Sequence, residues 1–559
     1  MPSLPHSKES IQEYRLKVDN EELKNGQKKE AEVEGIEGAK VVLLKVNDQL
    51  RALGPKCTHY GAPLIKGVVA GDGRITCPWH GACFNTSTGD IENAPALDHL
   101  ASFPVSIKNG SVYITGTEAL IKAGRRKPDI ACKPVTTAGS ESVLIVGGGS
   151  GAIGAIEGLR EKGFKGGITV LSKETYLPID RTKLSKALIS DAKKVEWRDQ
   201  AHFSKAGVDF HLGVEVASVD FKAHKIHTKD GGEWSYGKVL FATGGTPKNL
   251  PMDGFKELGN IFSLRGLSDV EAINKAVGEN KGRKVVVVGT GFIGMEVSKC
   301  LAGKGHDLTV IGMEEYPLER VMGAQLGKIF QRQLEEAGVK FKMSASVESA
   351  VPSSSDSSKV GYIALKGGEK IEADLVILGI GVAPATEYLK NSGVKLEEDG
   401  SVLVDEYFKV KGVEDAYAVG DIATYPYHGP GSDSSTTVRV EHWNVAQNAG
   451  RQAALHIAKS EKPVHFIPIF WSALGAQLRY CGATPNGFDD VVVKGNQDKY
   501  SFAAYFTLGE AVVAVATMQM DPVAMQCAEL MRRGMMPGKK DIIGGADVLQ
   551  VEVPSGVAI

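Results

Sequence analysis

The sequence predicts a multidomain chain, with a small all-β unit at the N-terminus followed by two α/β units, one nested in the other. Three observations carry this reading. Residues 12–116 break into short strand-like runs separated by turn signals. From Ser142 onward, apolar strand runs alternate with helical stretches. The order strand, glycine-rich turn, helix then occurs twice, at Gly147 and at Gly289. At 559 residues the chain has room for roughly three to five domains.

The β unit includes runs such as Lys40–Val46, Val68–Ala70 and 111–114. It also holds Cys57-Thr58-His59 and, 17 residues later, Cys77-Pro78-Trp79-His80. Two alternating Cys/His boxes resemble the ligand set of a Rieske [2Fe–2S] cluster. There Cys57 and Cys77 hold one iron as thiolates, and His59 and His80 hold the other as neutral imidazoles. Gly61 and Pro63 follow the first box, and Gly81, Phe84, Asn85, Thr88 and Gly89 the second, as in Rieske loops. A structural zinc site is the rival, but its usual pattern sets a CxxC against an HxxxH. Residues 117–140, with Arg125-Arg126-Lys127-Pro128, read as a solvated interdomain linker rather than a targeting signal.

The first α/β unit opens with the apolar strand 143–146 and Gly147-Gly148-Gly149-Ser150-Gly151-Ala152, a GxGxx(G/A) turn. Such glycines let the backbone approach a pyrophosphate at a helix N-terminus. A second strand, 168–171, leads to Glu174, at the distance expected of an acid that grips a ribose hydroxyl. Strand 285–288 then leads into Gly289-Thr290-Gly291-Phe292-Ile293-Gly294, with Glu296 two residues on. Two apolar strands complete the nested pair. One ends in Ala242-Thr243-Gly244-Gly245, the other in Gly420-Asp421, where Asp421 would face the ribityl hydroxyls of a flavin. The bland alternative for Asp421 is a strand-end turn residue. The polar stretch 353–358 carries no assignable chemistry.

Composition excludes other classes. With 42% hydrophobic and 24% charged residues the chain is of ordinary globular type. A net charge of −2 and a pI near 6.7 leave no electrostatic footprint for nucleic acid. No apolar run is long enough to span a bilayer, and residues 1–6 lack an apolar signal core. Ile559 ends the chain without a targeting tripeptide. Seven cysteines, two of them in the boxes, suit a reducing compartment. The expected location is cytoplasmic, with mitochondrial as the alternative.

Taken together, the motifs resemble the apoptosis-inducing-factor-like flavoproteins with an N-terminal Rieske domain, relatives of NAD(P)H-dependent ferredoxin and rubredoxin reductases. The resemblance runs from about residue 12 to 555. It includes Phe470-Trp471-Ser472, Leu478-Arg479-Tyr480 and Gly487-Phe488-Asp489-Asp490, which resemble the family's C-terminal α+β domain. It implies five segments: a Rieske domain at 12–116, the linker at 117–140, an FAD-binding Rossmann-like domain at 141–265 and 385–463, an NAD(P)H-binding domain at 266–384, and the α+β domain at 464–559.

The resemblance also implies roles. Residues 177–186 resemble the family's PYDRPxLSK segment, which sets Arg181 on the FAD phosphates or adenine side and Lys186 near flavin N5, paired with Glu296. Arg439-Val440-Glu441-His442-Trp443 resembles the segment beside the isoalloxazine. Trp443 and Trp471 would touch the flavin, the alternative being ordinary core aromatics.

Three departures matter. No CxxxxC pair follows the first nucleotide turn, so disulfide-reductase chemistry is out, and Cys83, Cys132, Cys300, Cys481 and Cys527 read as packing thiols. Ala62 and Trp79 stand where high-potential Rieske proteins carry a Cys–Cys staple. Strand 308–311 ends at Gly312 instead of the usual ribose-binding acid, with Glu314 two residues later. Coenzyme choice between NADH and NADPH is therefore open with a lean to NADH, and Gly312→Glu is expected to strengthen that lean.

The implied activity is transfer of electrons from NAD(P)H through FAD and the chain's own cluster to a one-electron acceptor, a redox protein or quinone. His59 and His80, read as partly exposed, would form the electron port. The alternatives are a reductase or ferredoxin component of a separate Rieske oxygenase, and a cell-death signalling protein.

Overall fold

The computed structural model describes residues 10–18, 23–135, 141–459, 463 and 465–552. The N-terminal unit is all-β. A seven-stranded antiparallel sheet buries alternate residues such as Leu16, Val41, Leu43 and Ile114. A smaller four-stranded sheet, Val68–Ala70, Arg74–Thr76, Cys83–Asn85 and Ile91–Asn93, projects from it. The two Cys/His boxes lie at the base of this smaller sheet, over the buried side chains of Leu64, Ile75 and Phe84.

The stretch expected to be a linker starts as folded structure. Thr117 caps a helix, Glu118–Ala123, through its hydroxyl to the Leu120 N–H at 3.2 Å, and Gly124 ends it in the left-handed region at φ 62°. Arg125–Arg126 then pairs as a strand with His99–Leu100. A six-residue helix is too short to show periodicity, which is why this segment reads as a connector. Residues 136–140 lie outside the described residues.

Two five-stranded parallel sheets follow, both built from β-branched runs buried on two faces. The first comprises β1 (Ser142–Val146), β2 (Gly167–Ser172), Val208–Leu212, Lys238–Phe241 and Ala416–Ala418. Its last strand comes after the whole second sheet, which is the nesting. The second sheet centres on β3 (Lys284–Val288), β4 (Asp307–Ile311) and Leu375–Leu378. The helix after β1, α1 (Ser150–Glu161), packs on α2 (Trp443–Ile457) at backbone distance. A Cβ on Gly154 would stand 2.2 Å from the Gln447 carbonyl oxygen, and one on Gly450 2.1 Å from that of Gly151. These glycines press the 439–443 segment against the first nucleotide turn.

The C-terminal unit is a five-stranded antiparallel sheet, Ile469–Ala473 through Ala511–Met518, backed by helix Val523–Arg532. The β unit is welded to it. Val68 and Ala70 share a core with Met525 and Leu530, and Arg74 forms an ion pair with the buried Glu529 at 2.7 Å. On the flavin side, Arg198 bridges Asp98 and Glu157, each at 2.8 Å.

Candidate functional site

The two cluster loops are near copies. The Cys57 N–H donates to the Ala62 carbonyl and the Cys77 N–H to that of Ala82, both at 2.8 Å. Gly61 and Gly81, at φ 78° and 74°, turn each loop back on its cysteine. The N–H groups of His59 and Tyr60 donate to the Cys57 sulfur, and those of Trp79 and His80 to the Cys77 sulfur. Such N–H···S bonds favour thiolate and tune a cluster. The Nδ1 atoms of His59 and His80 converge to 3.1 Å. Two nitrogens on one tetrahedral ion, with bonds of about 2.0–2.1 Å, stand about 3.3 Å apart, so the pair fits one iron. The Cys57 and Cys77 side chains meet in the same way, and ligands in two pairs suit a two-iron cluster. Burial holds both imidazoles neutral: it pushes His59 down to about 3, helped by Lys183, and His80 well below its usual value.

The expected partial exposure of this pair is overturned for His80, which is 4% exposed. The reason is the docking surface: the histidine edge faces the flavin-side units, not solvent.

That surface borders a cleft of about 1620 Å³. Gly147, at φ 108°, crosses so tightly that a Cβ would lie 2.3 Å from the Ala242 oxygen, while a Cβ on Gly149 would meet open space. With Ser150 and Gly151 these residues form the cleft end at the start of α1, and Ala152 is buried behind them. Glu174 accepts from Arg181, which also donates to the Arg265 carbonyl at 2.8 Å. Thr243 donates to the Ala385 carbonyl at 2.8 Å, and Gly244 turns at φ 68°. Asp421 lines the cleft and is paired with Arg265 at 3.1 Å. Arg265 lacks a motif of its own in the sequence, and only its position in the cleft marks it.

Lys186 and Glu296 are paired at 2.9 Å. Glu296, 4% exposed, also accepts from Ser472 at 2.6 Å and Ser185 at 2.5 Å. The two serines carry no sequence signal of their own. Glu441, exposed and tied to Arg439 at 2.6 Å, lines the cleft together with His442 and Trp443. Burial and then Lys186 push His442 down to about 3, so it is neutral.

In the second nucleotide turn, a Cβ on Gly289 would lie 2.4 Å from the Gly379 oxygen, and one on Gly294 2.3 Å from the Gly289 oxygen. Gly291 starts the helix Phe292–Gly303, from which Phe292, Ile293 and Glu296 line the cleft. Glu314 accepts from Thr290 at 3.3 Å and pairs with Arg320 at 2.7 Å. A Cβ on Gly312 would sit 2.5 Å from Thr290 Cγ2 and 2.9 Å from Met343 Cε. An acid at 312 therefore requires the Thr290 and Met343 side chains to move aside, a cost that the expectation for Gly312→Glu left out.

Comparison with known proteins agrees with this arrangement. Residues 141–450 match the model for pyridine nucleotide-disulphide oxidoreductases, and residues 15–104 match the Rieske [2Fe-2S] domain. The chain belongs to the pyridine nucleotide-disulphide oxidoreductase family. Human apoptosis-inducing factor 3 is 37% identical over 93% of this chain and 84% of its own length. Rubredoxin-NAD(+) reductase of Pseudomonas putida is 30% identical over 68% and 96%. The solved putidaredoxin reductase–putidaredoxin complex superposes with a TM-score of 0.67 at 25% identity, over 72% of this chain and 96% of that one. This family member is an FAD-dependent NAD(P)H oxidoreductase of the electron-transfer kind, with a [2Fe–2S] cluster in its Rieske domain. No helix among the described residues is long and apolar enough to cross a membrane.

A ring cluster joins the two halves of the site. The Trp471 indole lies 4.3 Å from the His80 ring and 4.6 Å from that of His442, centroid to centroid. Trp197 stands 5.6 Å from both His59 and Trp443. Trp443 and Trp471 therefore line the cleft and pack in a small core at once. Trp197 is a residue the sequence reading missed, as is Tyr60, whose ring stacks on His59 at 3.8 Å and whose hydroxyl donates to Asp180.

Proposed function

We propose that this protein carries electrons from NAD(P)H through FAD and its own Rieske cluster to a separate one-electron acceptor. The observation that carries the reading is the single indole of Trp471 in contact with both a cluster ligand, His80, and a wall residue of the flavin cleft, His442. When bound, FAD accepts a hydride and releases electrons singly, and the cluster takes one electron at a time.

The residues divide the remaining work. The N-terminus of α1 and the glycines before it offer N–H donors to a pyrophosphate. Glu174 and Asp421 serve ribose and ribityl hydroxyls, and Arg181 and Arg265 the phosphates. Lys186 keeps a positive charge at the cleft floor for negative charge that develops there. Glu296, held by two serines, fixes the direction of Lys186 and borders the nicotinamide. Gly289, Gly291 and Gly294 shape the coenzyme turn, and Glu314 takes the ribose end. His442, neutral, closes the cleft against Trp471. Cys57, His59, Cys77 and His80 hold the two irons. The units act as the segments set out above, except that residues 117–126 belong with the β unit, which covers the ring cluster. A reducing compartment, cytoplasm or mitochondrion, suits the seven free cysteines.

The test is anaerobic stopped-flow reduction with NADH and NADPH, with the flavin followed by absorbance and the cluster by freeze-quench EPR. Flavin reduction followed by cluster reduction within turnover is expected. A cluster that stays oxidised while the flavin is reduced would overturn the pathway.

A further inference from the structure

Arg479 is a buried charge that takes no part in the flavin cleft. It pairs with Trp471 across the antiparallel ladder between Ile469–Ala473 and Gln477–Gly482. Residues opposite each other in such a ladder share a face of the sheet, and here that face meets the β unit. Trp471 touches His80, and a Cβ on Gly81 of the same ligand loop would stand 2.6 Å from Ile469 Cδ1 and 3.4 Å from Met525 Sδ. Cys481, further along that face, shares a core with Val68 and Ala70. Leu478 and Tyr480 point the other way, into the core around the coenzyme sheet. The C-terminal unit thus brings a guanidinium up to the second ligand loop, which the β unit builds.

This charge is deeply buried and thinly compensated. Arg479 is 2% exposed. Its Nη1 donates to Gln477 Oε1 at 2.8 Å and to the Leu478 carbonyl at 3.4 Å, both neutral. Its Nε finds no hydrogen-bond partner among the described residues. The acid that faces it, Asp521, stands 3.5 Å from Nε, keeps its side chain partly in solvent and is shared with Lys66. Burial lowers the Arg479 pKa, yet a guanidinium keeps its proton in proteins. The charge is felt at both kinds of ligand. Burial raises the Cys77 thiol, but the Cys57 thiol, the N–H groups of Trp79 and His80 and the Arg479 charge together bring it below its usual value. After burial and His59, Arg479 also opposes protonation of His80. Burying a charge with so weak a partner costs stability, and the attraction that offsets the cost lies on the thiolate side of the cluster.

We infer that Arg479 raises the reduction potential of the cluster, and so favours passage of an electron from flavin to cluster. The inference rests on the ligand set proposed above and adds a tuning residue supplied by a different unit of the chain. Two ferric ions, two sulfides and two thiolates cancel, so with neutral histidines the oxidised centre has no net charge, and the one added electron makes it negative. A fixed positive charge beside it therefore stabilises the reduced form more than the oxidised one. One ferric ion becomes ferrous, and no bond is made or broken.

The test compares the holoenzyme with Arg479→Gln, Arg479→Lys and Asp521→Asn. Redox titration at fixed pH, with the cluster followed by EPR and the flavin by absorbance, reads the two potentials. Arg479→Gln is expected to lower the cluster potential by the equivalent of about tenfold in a one-electron equilibrium, about 59 mV. Arg479→Lys keeps the charge and should stay nearer the wild type. Asp521→Asn removes the opposing charge and should move the potential up. The flavin potential should move less than that of the cluster in all three. A cluster potential in Arg479→Gln equal to or above the wild-type value overturns the inference. So does an equal fall in the Gln and Lys variants, which would mark packing rather than charge. Should Arg479→Gln not fold, Asp521→Asn still decides, because a potential that falls or stays put there overturns the inference as well. Failure of the ligand set would look different: the wild type itself would give no Rieske EPR signal on reduction.

Discussion

The indole of Trp471 packs 4.3 Å from the imidazole of His80, and the next residue, Ser472, donates to Glu296, the partner of Lys186. One β-strand, Ile469–Ala473, thus touches the His59/His80 edge with one side chain and the charged floor of the cleft with the next. Successive strand residues point to opposite faces, so a single backbone sets both contacts. Trp471→Leu should keep the Rieske EPR signal and, although it alters the cleft wall, should slow flavin reduction by NADH less than the step that follows. Transfer from flavin to cluster should slow about tenfold or more, about 1.4 kcal/mol of barrier. Rapid-mixing traces of the two chromophores check this.

His80→Ala removes a proposed iron ligand, and the variant should purify without the cluster, shown by iron and acid-labile sulfide analysis. FAD should remain, because its cleft is walled by other elements. Reduction of a small dye by NADH should persist, and reduction of cytochrome c should fall to background. Wild-type cytochrome c turnover in this variant would mean that electrons leave from the flavin.

Lys186→Ala should do the reverse. The cluster stays, and flavin reduction slows about 100-fold, the size seen when one preorganised charge-stabilising group is lost. Glu296→Gln should show a smaller loss, because Ser185 and Ser472 still hold the amide.

Gly312→Glu should lower stability and weaken both coenzymes, since even its Cβ meets Thr290 and Met343. Glu314→Gln should instead shift the NADH:NADPH ratio of kcat/KM by about tenfold toward NADPH, because it removes the acid proposed for the ribose end. The wild type should discriminate by less than about 100-fold, about 2.7 kcal/mol.

Arg198 is the charged hinge between the β unit and the flavin side. Burial would raise the Glu157 carboxyl, but Arg198 and His202 outweigh it and hold it below its usual 4.5. A folded value below the unfolded one contributes stability that is complete above pH 4.5 and is lost as pH falls through the folded value. Wild type should therefore weaken only in acid. Arg198→Ala leaves buried Glu157 with His202 alone and buried Asp98 with the more distant Arg125, and should cost about 3 kcal/mol at neutral pH. Urea melts at pH 5 and pH 7.5 should show that variant regaining ground at the lower pH, where Glu157 protonates.

Local patterns made much of this protein legible. The two Cys/His boxes and the two glycine turns are set by spacing along a few residues, because a ligand loop or a strand–turn–helix is closed by its own backbone. Gly61 and Gly81 recur at the same place in the two boxes for that reason. The alternation of strands and helices likewise revealed the parallel sheets. Helix Glu118–Ala123 escaped because two turns carry no periodic signal, and the basic pair after it looks like a solvated run although it pairs as a strand.

What the sequence by itself determined was chemistry: that FAD, NAD(P)H and a cluster share one chain, with two Cys/His boxes and two glycine turns as the candidates for holding them. What only the tertiary structure decided was how these meet. Trp471 against His80, Tyr60 against Asp180, Arg265 against Asp421 and Arg198 between Asp98 and Glu157 all join residues far apart in the chain. Such pairs follow from how preformed surfaces fit, and no short-range pattern in a single sequence encodes that fit. The same docking buried His80 and left Tyr60 open, so the direction in which the cluster faces is a property of the assembled fold.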